Sequence, residues 1–454
     1  MPRKRFSVLR DPVHGDVYLT REELALLDTP EMQRLRGIRQ LGTTYLVFPG
    51  AHHTRFEHSI GSLHMAQKMI DAINLNASID PAVCIGITPE EARIIRIAAL
   101  LHDITHIPFG HNIEDQTGLF KRHDLPQRFE RMLSAETTVG RRLRELGMSD
   151  QILAVLCARS AGQRIPSYWV QIIADTICSD ILDYLKRDAY YTGLNLYYDP
   201  RLISYFKIER ETGTLYIDCA KNHLLREDIL SEILRMLDAR YYFSERVYYH
   251  HAKICAGALV ARVAEYAIGS GAVKEEDFYD KTDDTLLEYL GRVYYTDAFV
   301  RERVKQFLDA FRSRRLPKRC AVFPLYANRD LQERLIKEYF VAASRARRIE
   351  KEKAMAAELA LRSKQTSEII LYCPARHMQL KEAGIPVLLP NEPHPRPLSA
   401  FADRFPRLQD QTQAYRNLWK FYVLALSDDA DVLRTAQTIA REQLEPAVDV
   451  FTIE

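Results

Sequence analysis

The sequence predicts a mainly α-helical protein with small β-hairpins and a smaller C-terminal α+β lobe. Apolar residues recur at helical spacing through most of the first 320 residues, which predicts a large helical core. Residues 7–19 and 201–219 instead alternate around a turn and are typical of β-hairpins. Beyond residue 320, charge-rich helical stretches surround a strand-like segment at 368–373. We therefore predict two domains, residues 1–320 and 321–454.

Helical segments follow one another along the chain. The segment at 89–103 has a well-marked start, because Thr88, Pro89 and Glu91 form an N-cap, a first-turn proline and a capping box. Residues 384–399 contain five prolines and one glycine and predict a loop. The other predicted helical segments are 21–27, 30–40, 57–75, 125–135, 137–146, 149–158, 168–188, 226–313, 329–364, 406–425 and 428–443.

Length and composition exclude several classes of protein. The chain of 454 residues has a net charge of only +2, so bulk electrostatics require neither nucleic acid nor an anionic membrane. No apolar run approaches the roughly 20 residues that span a bilayer, and no apolar segment of a secretory signal follows the basic N-terminus. Seven cysteines stand singly, without a C-x-x-C pair. They indicate reduced thiols and a cytoplasmic protein with no membrane partner.

The end of the helix at 89–103 concentrates residues that can carry chemistry. His102, Asp103, His106 and His111 fall within ten positions, and a broad apolar surface precedes them. Burying a histidine–aspartate pair costs free energy unless the pair is hydrogen-bonded or binds a metal. Taken alone, His102 and Asp103 fit a structural pair as well as a metal site.

Two other segments carry residues of the same kind. Arg55 and His58 lie at the start of a predicted helix. On a later helix, Asp180, Tyr184 and Asp188 fall on one face at spacings of 4 and 8 residues. An exposed polar stripe is the alternative interpretation of that face.

The residues His58, His102, Asp103 and Asp180 stand in the order H…HD…D, and the sequence resembles the HD phosphohydrolase superfamily. The resemblance implies an HD-domain helical core in which these four residues bind a divalent metal. Two imidazoles and two carboxylates suit Fe, Mn, Zn or Ni better than calcium. Mg²⁺ on the substrate phosphates is a further candidate cofactor. Asp175 is an alternative ligand, although it lacks the Asp-x-x-Asp-Tyr context of Asp180.

A closer resemblance is to the SAM-and-HD-domain deoxynucleoside triphosphate (dNTP) triphosphohydrolases and their bacterial relatives. It covers residues 8–320, and we expect no SAM domain ahead of it. The resemblance implies that water attacks the α-phosphorus of a dNTP, which releases a deoxynucleoside and tripolyphosphate. The matching segments are residues 11–15, 28–36, 40–42, 48–51, 55–58 and 183–188.

The same resemblance implies roles around the phosphates. His111, with Glu114 three residues later, fits the proton donor for the leaving oxygen, because an acid beside a histidine raises its pKa. His106 and His123 are candidates for phosphate contact or proton relay, although His123 also fits an ordinary surface histidine. Arg55 fits a bidentate phosphate ligand.

On the nucleoside side, the resemblance implies a closely packed wall around the sugar. Gln40 and Leu41 match positions that face the sugar, and Tyr184, Asp188 and Tyr248 match a wall that leaves no room for a 2′-hydroxyl. Tyr248 lies in an aromatic run, so a place in the core is its alternative interpretation.

A regulatory site is also implied. Asp28, Gln33 and Arg36 match positions at which regulated members of the family recognise a guanine nucleotide activator between subunits. A capped, charged helix face is the alternative interpretation of these residues. Because an activator site of this kind is built between chains, we expect a homo-oligomer, either a dimer or a tetramer.

Two other functions remain open from the sequence. The basic cluster at 312–319 and the charged helix at 345–353 would suit a metal-dependent 3′–5′ exonuclease on single-stranded DNA. A nucleotide-sensing regulator with an idle metal site is the non-catalytic alternative. The intact set of four candidate ligands, together with Arg55 and His111, favours an enzyme.

Overall fold

A computed structural model of the chain describes residues 6–117, 119–161, 165–373 and 380–453. The predicted mainly α-helical fold is confirmed. The hairpin predicted near the N-terminus pairs β1 (Phe6–Asp11) with β2 (Gly15–Thr20). The helices that follow are α1 (Arg21–Leu27), α2 (Pro30–Arg34), α3 (Arg55–Ile79), α4 (Pro89–Leu101), α5 (His111–Thr117), α6 (Pro126–Met132), α7 (Thr138–Glu145), α8 (Ser149–Ala161), α9 (Ser167–Ala174) and α10 (Ser179–Thr192).

The second half of the chain mixes helices with short strands. Its strands are β3 (Phe206–Ile208), β4 (Leu215–Asp218), β5 (Ala220–Lys221), β6 (Leu224–Leu225), β7 (Lys318–Pro324), β8 (Ile369–Tyr372), β9 (Pro386–Leu388), β10 (Arg396–Pro397) and β11 (Lys420–Ala425). Its helices are α11 (Glu227–Phe243), α12 (His251–Gly269), α13 (Asp283–Arg292), α14 (Ala298–Arg312), α15 (Gln332–Tyr339), α16 (Arg345–Ser363), α17 (Pro406–Arg416) and α18 (Ala430–Gln443).

Short 3₁₀ and π-helical turns connect these elements. A π-helical turn, Ser244–Tyr248, links α11 to the start of α12. The 3₁₀ turns are Leu35–Gly37, Gly42–Leu46, Pro200–Tyr205, Glu275–Phe278, Leu325–Ala327, Arg329–Leu331, Ala342–Ser344, Lys381–Gly384 and Leu398–Arg404.

Helix α3 is the central element of the helical core, because it packs against both α4 and α10. Its residues Leu63, Ala66 and Met69 are fully buried. The capping box at Thr54 and Glu57 fixes where α3 begins. Arg55 and His58 therefore lie in its first turn, at the end of the core where α4 finishes and α10 starts.

The single long helix predicted for 168–188 is wrong. The chain leaves helical geometry after α9, at Asp175, and a new helix begins at Ser179 with Cys178 as its N-cap. Apolar spacing continues through the break, and neither proline nor glycine marks it. The break places Asp180 in the first turn of α10, whereas Asp175 is exposed outside both helices.

The strand prediction is correct at β8 but wrong at β11, which the sequence predicts as the end of a helix at 406–425. Strand β11 is the middle strand of an antiparallel sheet in the order β7–β11–β8. Residues Phe421–Ala425 are buried, so both faces of the strand are covered and its apolar run lacks the alternation that marks a half-buried strand.

A second sheet, in the order β10–β9–β4–β3, joins distant parts of the chain. Strand β9 pairs in parallel with β4, with Ile217 opposite Val387. Both β9 and β10 lie in the segment 384–399 that the sequence predicts as a loop. Residue 320, the predicted boundary between two domains, lies inside β7. The division into two domains stays a prediction.

Within the described residues, no helix combines the length and apolar character needed to cross a membrane. All seven cysteines lie in the described part of the chain, and each is a buried free thiol.

Candidate active site

The four predicted metal ligands come together where α3, α4 and α10 meet. His58 Nε2 lies 3.0 Å from Asp180 Oδ1 and 3.8 Å from Asp103 Oδ2. His102 Nε2 lies 3.6 Å from Asp103 Oδ1 and 3.8 Å from Asp180 Oδ1. One ligand atom from each of His58, His102 and Asp103 lies within 4.8 Å of the other two. The geometry therefore places two imidazoles and two carboxylates around one point.

The protonation of the two histidines fits a metal at this point. His58 Nδ1 lies 2.7 Å from Asp183 Oδ2, and His102 Nδ1 lies 2.8 Å from the carbonyl oxygen of Ala99. Because both partners only accept hydrogen bonds, Nδ1 carries the proton in each ring. The Nε2 atoms then remain for a metal, and His102 Nε2 is buried without a hydrogen-bond partner among the described residues.

The charge balance of the site points in the same direction. Burial alone would lower the pKa of His58, but hydrogen bonds to Asp180 and Asp183 raise it to about 10. Burial would raise the pKa of Asp180, yet its contacts with His102 and His58 hold it well below its ordinary value. A proton on His58 thus occupies the site of a divalent cation, and metal binding must displace it.

Arg55 and His106 both contact Asp103. Arg55 Nη1 donates to Asp103 Oδ2 at 2.5 Å, and His106 Nε2 lies 3.2 Å from Asp103 Oδ1. Burial is the main cause that holds the pKa of His106 well below its usual range, and the positive charge of Arg55 lowers it further. This imidazole is therefore neutral. At Gly110, where φ is +42°, a Cβ would lie 3.0 Å from Arg55 Nη2. Glycine leaves the guanidinium its space.

His111 pairs with a different acid from the one that the sequence predicts. Glu114 Oε2 accepts a hydrogen bond from His123 Nδ1 at 2.8 Å, whereas His111 Nδ1 lies 3.4 Å from Asp115 Oδ2. Because α5 begins at His111, residue 115 lies one turn above it on the same face, while Glu114 points into the protein. Partial burial would lower the pKa of His111, but Asp115, and to a smaller extent Glu114, outweigh it and raise the pKa.

The three histidines form one cluster beside the predicted ligands. The rings of His106 and His123 stack with centroids 3.6 Å apart, and His111 lies 5.4 Å from His106 and 5.1 Å from His123. Of the three, His111 is the most exposed, with 51% of its side chain accessible. The cluster presents imidazole nitrogens next to the metal position.

The residues of the predicted sugar wall form a second group of contacts near His58. Asp188 Oδ2 accepts a hydrogen bond from the hydroxyl of Tyr248 at 2.6 Å, and His53 Nε2 lies 2.8 Å from Asp188 Oδ1. The ring of Tyr184 lies 6.4 Å from that of His58. The guanidinium of Arg240 faces the rings of both Tyr184 and Tyr248, at 5.2 and 5.4 Å. His53 and Arg240 are additions that the sequence did not single out.

Gln40 and Leu41 lie next to this wall. The backbone N–H of Gln40 donates to the carbonyl oxygen of His53 at 3.0 Å. The side-chain oxygen of Gln40 is buried and has no hydrogen-bond partner among the described residues. Leu41 packs on the core. The free amide oxygen is the type of group that a bound ligand satisfies.

The three predicted activator residues lie outside this site. Arg36 Nε donates to Gln33 Oε1 at 2.8 Å, and its guanidinium lies 3.6 Å above the ring of Phe56. Gln33 in turn donates to the carbonyl oxygen of Leu27, and Asp28 is exposed at the end of α1. The structure brings Gln33 and Arg36 together. Among the described residues, neither side chain forms a hydrogen bond or ion pair with Asp28.

Comparisons with known proteins agree with this arrangement. Residues 55–187 match the HD domain, and residues 221–443 match the HD associated region. The deoxynucleoside triphosphate triphosphohydrolase SAMHD1 homolog of Dictyostelium discoideum is 29% identical over 76% of this chain and 63% of that protein. Protein MJ1154 of Methanocaldococcus jannaschii is 28% identical over 63% of this chain and 55% of that protein. The chain thus spans between about half and two thirds of the length of these relatives.

Among solved structures, a hypothetical protein from Aquifex aeolicus has the same fold. The TM-score is 0.67, with 20% sequence identity over 96% of this chain and 99% of that one. The matched HD segment contains His58, His102, Asp103 and Asp180. The chain therefore belongs to the HD-domain phosphohydrolase superfamily, and within it resembles the deoxynucleoside triphosphate triphosphohydrolases of the SAMHD1 type.

Proposed function

We propose that this protein is a metal-dependent phosphohydrolase that cleaves dNTPs into a deoxynucleoside and tripolyphosphate. One observation carries the proposal. The four candidate ligands lie beside a cluster of imidazole and guanidinium groups, and the ring of Tyr184, which is part of the wall with the hydrogen-bonded Asp188–Tyr248 pair, lies 6.4 Å from the ring of His58. A nucleoside triphosphate needs cationic donors for its phosphates and a shaped wall for its sugar, and the site offers both.

His58, His102, Asp103 and Asp180 would hold the metal, with Fe, Mn, Zn or Ni as candidates. When bound, such an ion supplies an activated water and polarises a phosphoryl oxygen. Mg²⁺ on the substrate phosphates is a further candidate. The Nδ1 hydrogen bonds of the two histidines fix the rings for this task.

The residues around the phosphates have separate tasks. Arg55 donates a hydrogen bond to Asp103 through Nη1 and brings a permanent positive charge to the phosphate position. His106 is neutral and is held by Asp103. It can therefore help to orient a phosphate group but adds no positive charge to the site. A hydrogen bond from His123 Nδ1 to Glu114 fixes the ring and leaves Nε2 as an acceptor that faces the proposed phosphate position, where it can take part in a proton relay.

His111 is the proton donor for the leaving 5′ oxygen. Asp115 raises its pKa, so the imidazole is protonated over more of the neutral pH range than an ordinary histidine. The ring is half exposed and lies at the mouth of the cluster, where a leaving group can reach it. Asp115 then stabilises the charge before the proton is transferred.

The sugar lies against Tyr184, Asp188 and Tyr248, with Gln40 and Leu41 at its side. Both carboxylate oxygens of Asp188 are held, one by His53 and one by Tyr248, so the wall is rigid. A rigid, closely packed wall rejects an added 2′-hydroxyl better than a mobile one, because the site cannot relax around it.

Asp28, Gln33 and Arg36 form the proposed guanine nucleotide activator site. The exposure of Asp28 and Arg36 supports this, since their polar edges are available to a ligand. Gln33 and the ring of Phe56 fix the guanidinium of Arg36 in the absence of that ligand. We propose that the site is completed by another copy of the chain in a homo-oligomer.

The deciding experiment incubates the metal-loaded protein with each dNTP, each ribonucleotide and labelled single-stranded DNA, with and without GTP or a second dNTP. Chromatography of the products should show tripolyphosphate from dNTPs alone. Mononucleotides from DNA, with dNTPs intact, would overturn the proposal in favour of a 3′–5′ exonuclease, whose DNA binding should weaken steeply with salt. No turnover and no bound metal would favour a nucleotide-sensing regulator.

A further inference from the structure

Four polar residues within the matching sequence segments have no task in the proposed reaction. Asp11 and His14 lie in the turn of the N-terminal hairpin. Asp183 and Arg187 lie in α10, between the residues of the proposed sugar wall. The structure brings the four side chains together directly behind His58, and at most 4% of any of them is accessible.

Asp183 is the centre of this network. Its Oδ2 lies 2.7 Å from His58 Nδ1, and its Oδ1 lies 2.6 Å from His14 Nε2. Arg187 donates to both oxygens of the same carboxylate, each at 2.9 Å. Every hydrogen-bond direction of the carboxylate that faces the protein is thus used, which leaves Asp183 one orientation.

The hairpin turn fixes Arg187 from the other side. Arg187 Nη1 donates to Asp11 Oδ2 at 2.8 Å. The second oxygen of Asp11 accepts the backbone N–H groups of Val13 and His14, at 2.9 and 2.8 Å. One aspartate therefore shapes the turn and anchors the arginine, and the same turn directs His14 onto Asp183.

The packing leaves room for this network at one position of α3. A Cβ on Gly61 would lie 1.8 Å from Asp183 Oδ1 and 2.4 Å from Arg187 Nη2. Glycine at this position, one turn after His58, allows the carboxylate to approach the helix and reach the imidazole.

We infer that Asp183 is a positioning residue for the metal, acting through His58, and that the hairpin turn holds Asp183 in place. This inference rests on the proposed function. A carboxylate on the Nδ1 proton of a ligand histidine fixes the tautomer, orients the ring and makes Nε2 a stronger donor. His102 has only the carbonyl oxygen of Ala99 at its Nδ1. Of the two candidate ligand histidines, His58 is therefore the one whose Nδ1 has a charged partner.

Metal affinity provides the test, measured by competition between the full-length protein and a chromophoric chelator for Co²⁺. Asp183→Asn removes the charge and keeps the size, and should weaken Co²⁺ binding by about 10–100-fold. The visible absorption spectrum of bound Co²⁺ should also change, because the orientation of a ligand ring changes. A purely structural role for Asp183 would leave that spectrum as it is.

Asp183→Asn leaves Arg187 with Asp11 as its remaining charge partner and unbalances the buried network, so a second variant is needed. The double variant Asp183→Asn with Arg187→Gln removes both members of the Asp183–Arg187 pair, which proteins tolerate better than the loss of one, and leaves Asp11 on the backbone N–H groups of Val13 and His14. It should show the same loss of affinity. As a matched control, Glu265→Gln disrupts the buried ion pair with Arg262 in α12 and should leave Co²⁺ affinity unchanged.

The outcomes separate this inference from the proposed function. Unchanged Co²⁺ affinity and spectrum in the double variant would overturn the inference and leave the metal site standing. A loss of affinity in the double variant but not in Glu265→Gln would support it. If the unaltered protein bound no Co²⁺, both the metal site and the role of Asp183 would be overturned.

Discussion

Two acidic residues follow His111 on α5, and the structure assigns them to different histidines. If Asp115 raises the pKa of His111, Asp115→Asn should lower that pKa. The proton donor is active below its pKa and inactive above it. The loss of activity at high pH should therefore begin at a lower pH in Asp115→Asn than in the unaltered protein. The measurement is the pH profile of kcat for dNTP hydrolysis.

Glu114→Gln is the matched comparison, since Glu114 is the neighbouring acid on the same helix. It loses the carboxylate that holds His123, so it should reduce kcat/KM through the phosphate contacts. The alkaline limb should shift less than in Asp115→Asn. A larger shift in Glu114→Gln would instead support the pairing predicted from the sequence alone, in which Glu114 raises the pKa of His111.

The choice between Asp180 and Asp175 is also a question about single residues. Asp180 reaches His58 and His102 from the first turn of α10, whereas Asp175 is exposed at the end of α9. Asp180→Ala should abolish metal binding, and Asp175→Ala should retain it. Metal analysis of the purified variants by mass spectrometry decides this. Retained metal in Asp180→Ala would show that the ligand set is wrong.

At the scale of elements, the contact between α3 and α10 depends on one missing methyl group. Gly61→Ala would drive a Cβ into the Asp183–Arg187 pair, and such overpacking costs about 1–3 kcal/mol. Gly269, at the end of α12, has nothing within 4 Å of the corresponding position, so Gly269→Ala should be neutral or stabilise by up to about 1 kcal/mol.

Chemical denaturation of both glycine variants measures this difference. The denaturation midpoint should fall for Gly61→Ala and stay or rise for Gly269→Ala. Metal affinity should also fall in Gly61→Ala, because the displaced carboxylate no longer reaches His58. Equal midpoints for the two variants would mean that α3 and α10 separate easily and that the network is not tightly packed.

The elements also show what the sequence could and could not predict. Start signals were reliable where a side chain caps the backbone locally, as Thr88 and Glu91 do for α4. The break between α9 and α10 carries no such signal. The apolar run of β11 lacks the alternation of a half-buried strand, because both of its faces are buried, and the sequence therefore predicts helix there. These two features depend on packing partners far along the chain, which periodicity does not detect.

The same distinction applies to the site. The four candidate ligands, Arg55 and the three histidines could be named from the sequence, because each lies in a short motif that resembles a family. Their partners His53 and Asp183 could not, since these are brought in by tertiary contacts. The pairing of Glu114 with His123 instead of His111 follows from which face of α5 is buried.

At the scale of the whole molecule, buried charges tie the helical core to the later part of the chain. Arg262 of α12 donates to Glu352 of α16 at 2.6 Å and to the carbonyl oxygen of Leu371 in β8 at 2.9 Å. Glu265 pairs with Arg262 and with Arg348. All four charged side chains are at least nine-tenths buried. Charges buried in this way are costly to separate, about 3–5 kcal/mol when one partner is lost.

A fragment of residues 1–327 therefore tests the division into two domains. It keeps β7 whole but removes β11 and β9, the partners of β7 and β4, together with Arg348 and Glu352. The exposed edge of β7 and the unpaired charges should leave the fragment aggregated or unfolded. Size-exclusion chromatography and circular dichroism measure this against the full chain. A monodisperse fragment that unfolds cooperatively and binds metal would establish an independent N-terminal domain. Failure to fold would mean that the later part of the chain is an integral part of the core that holds the metal site.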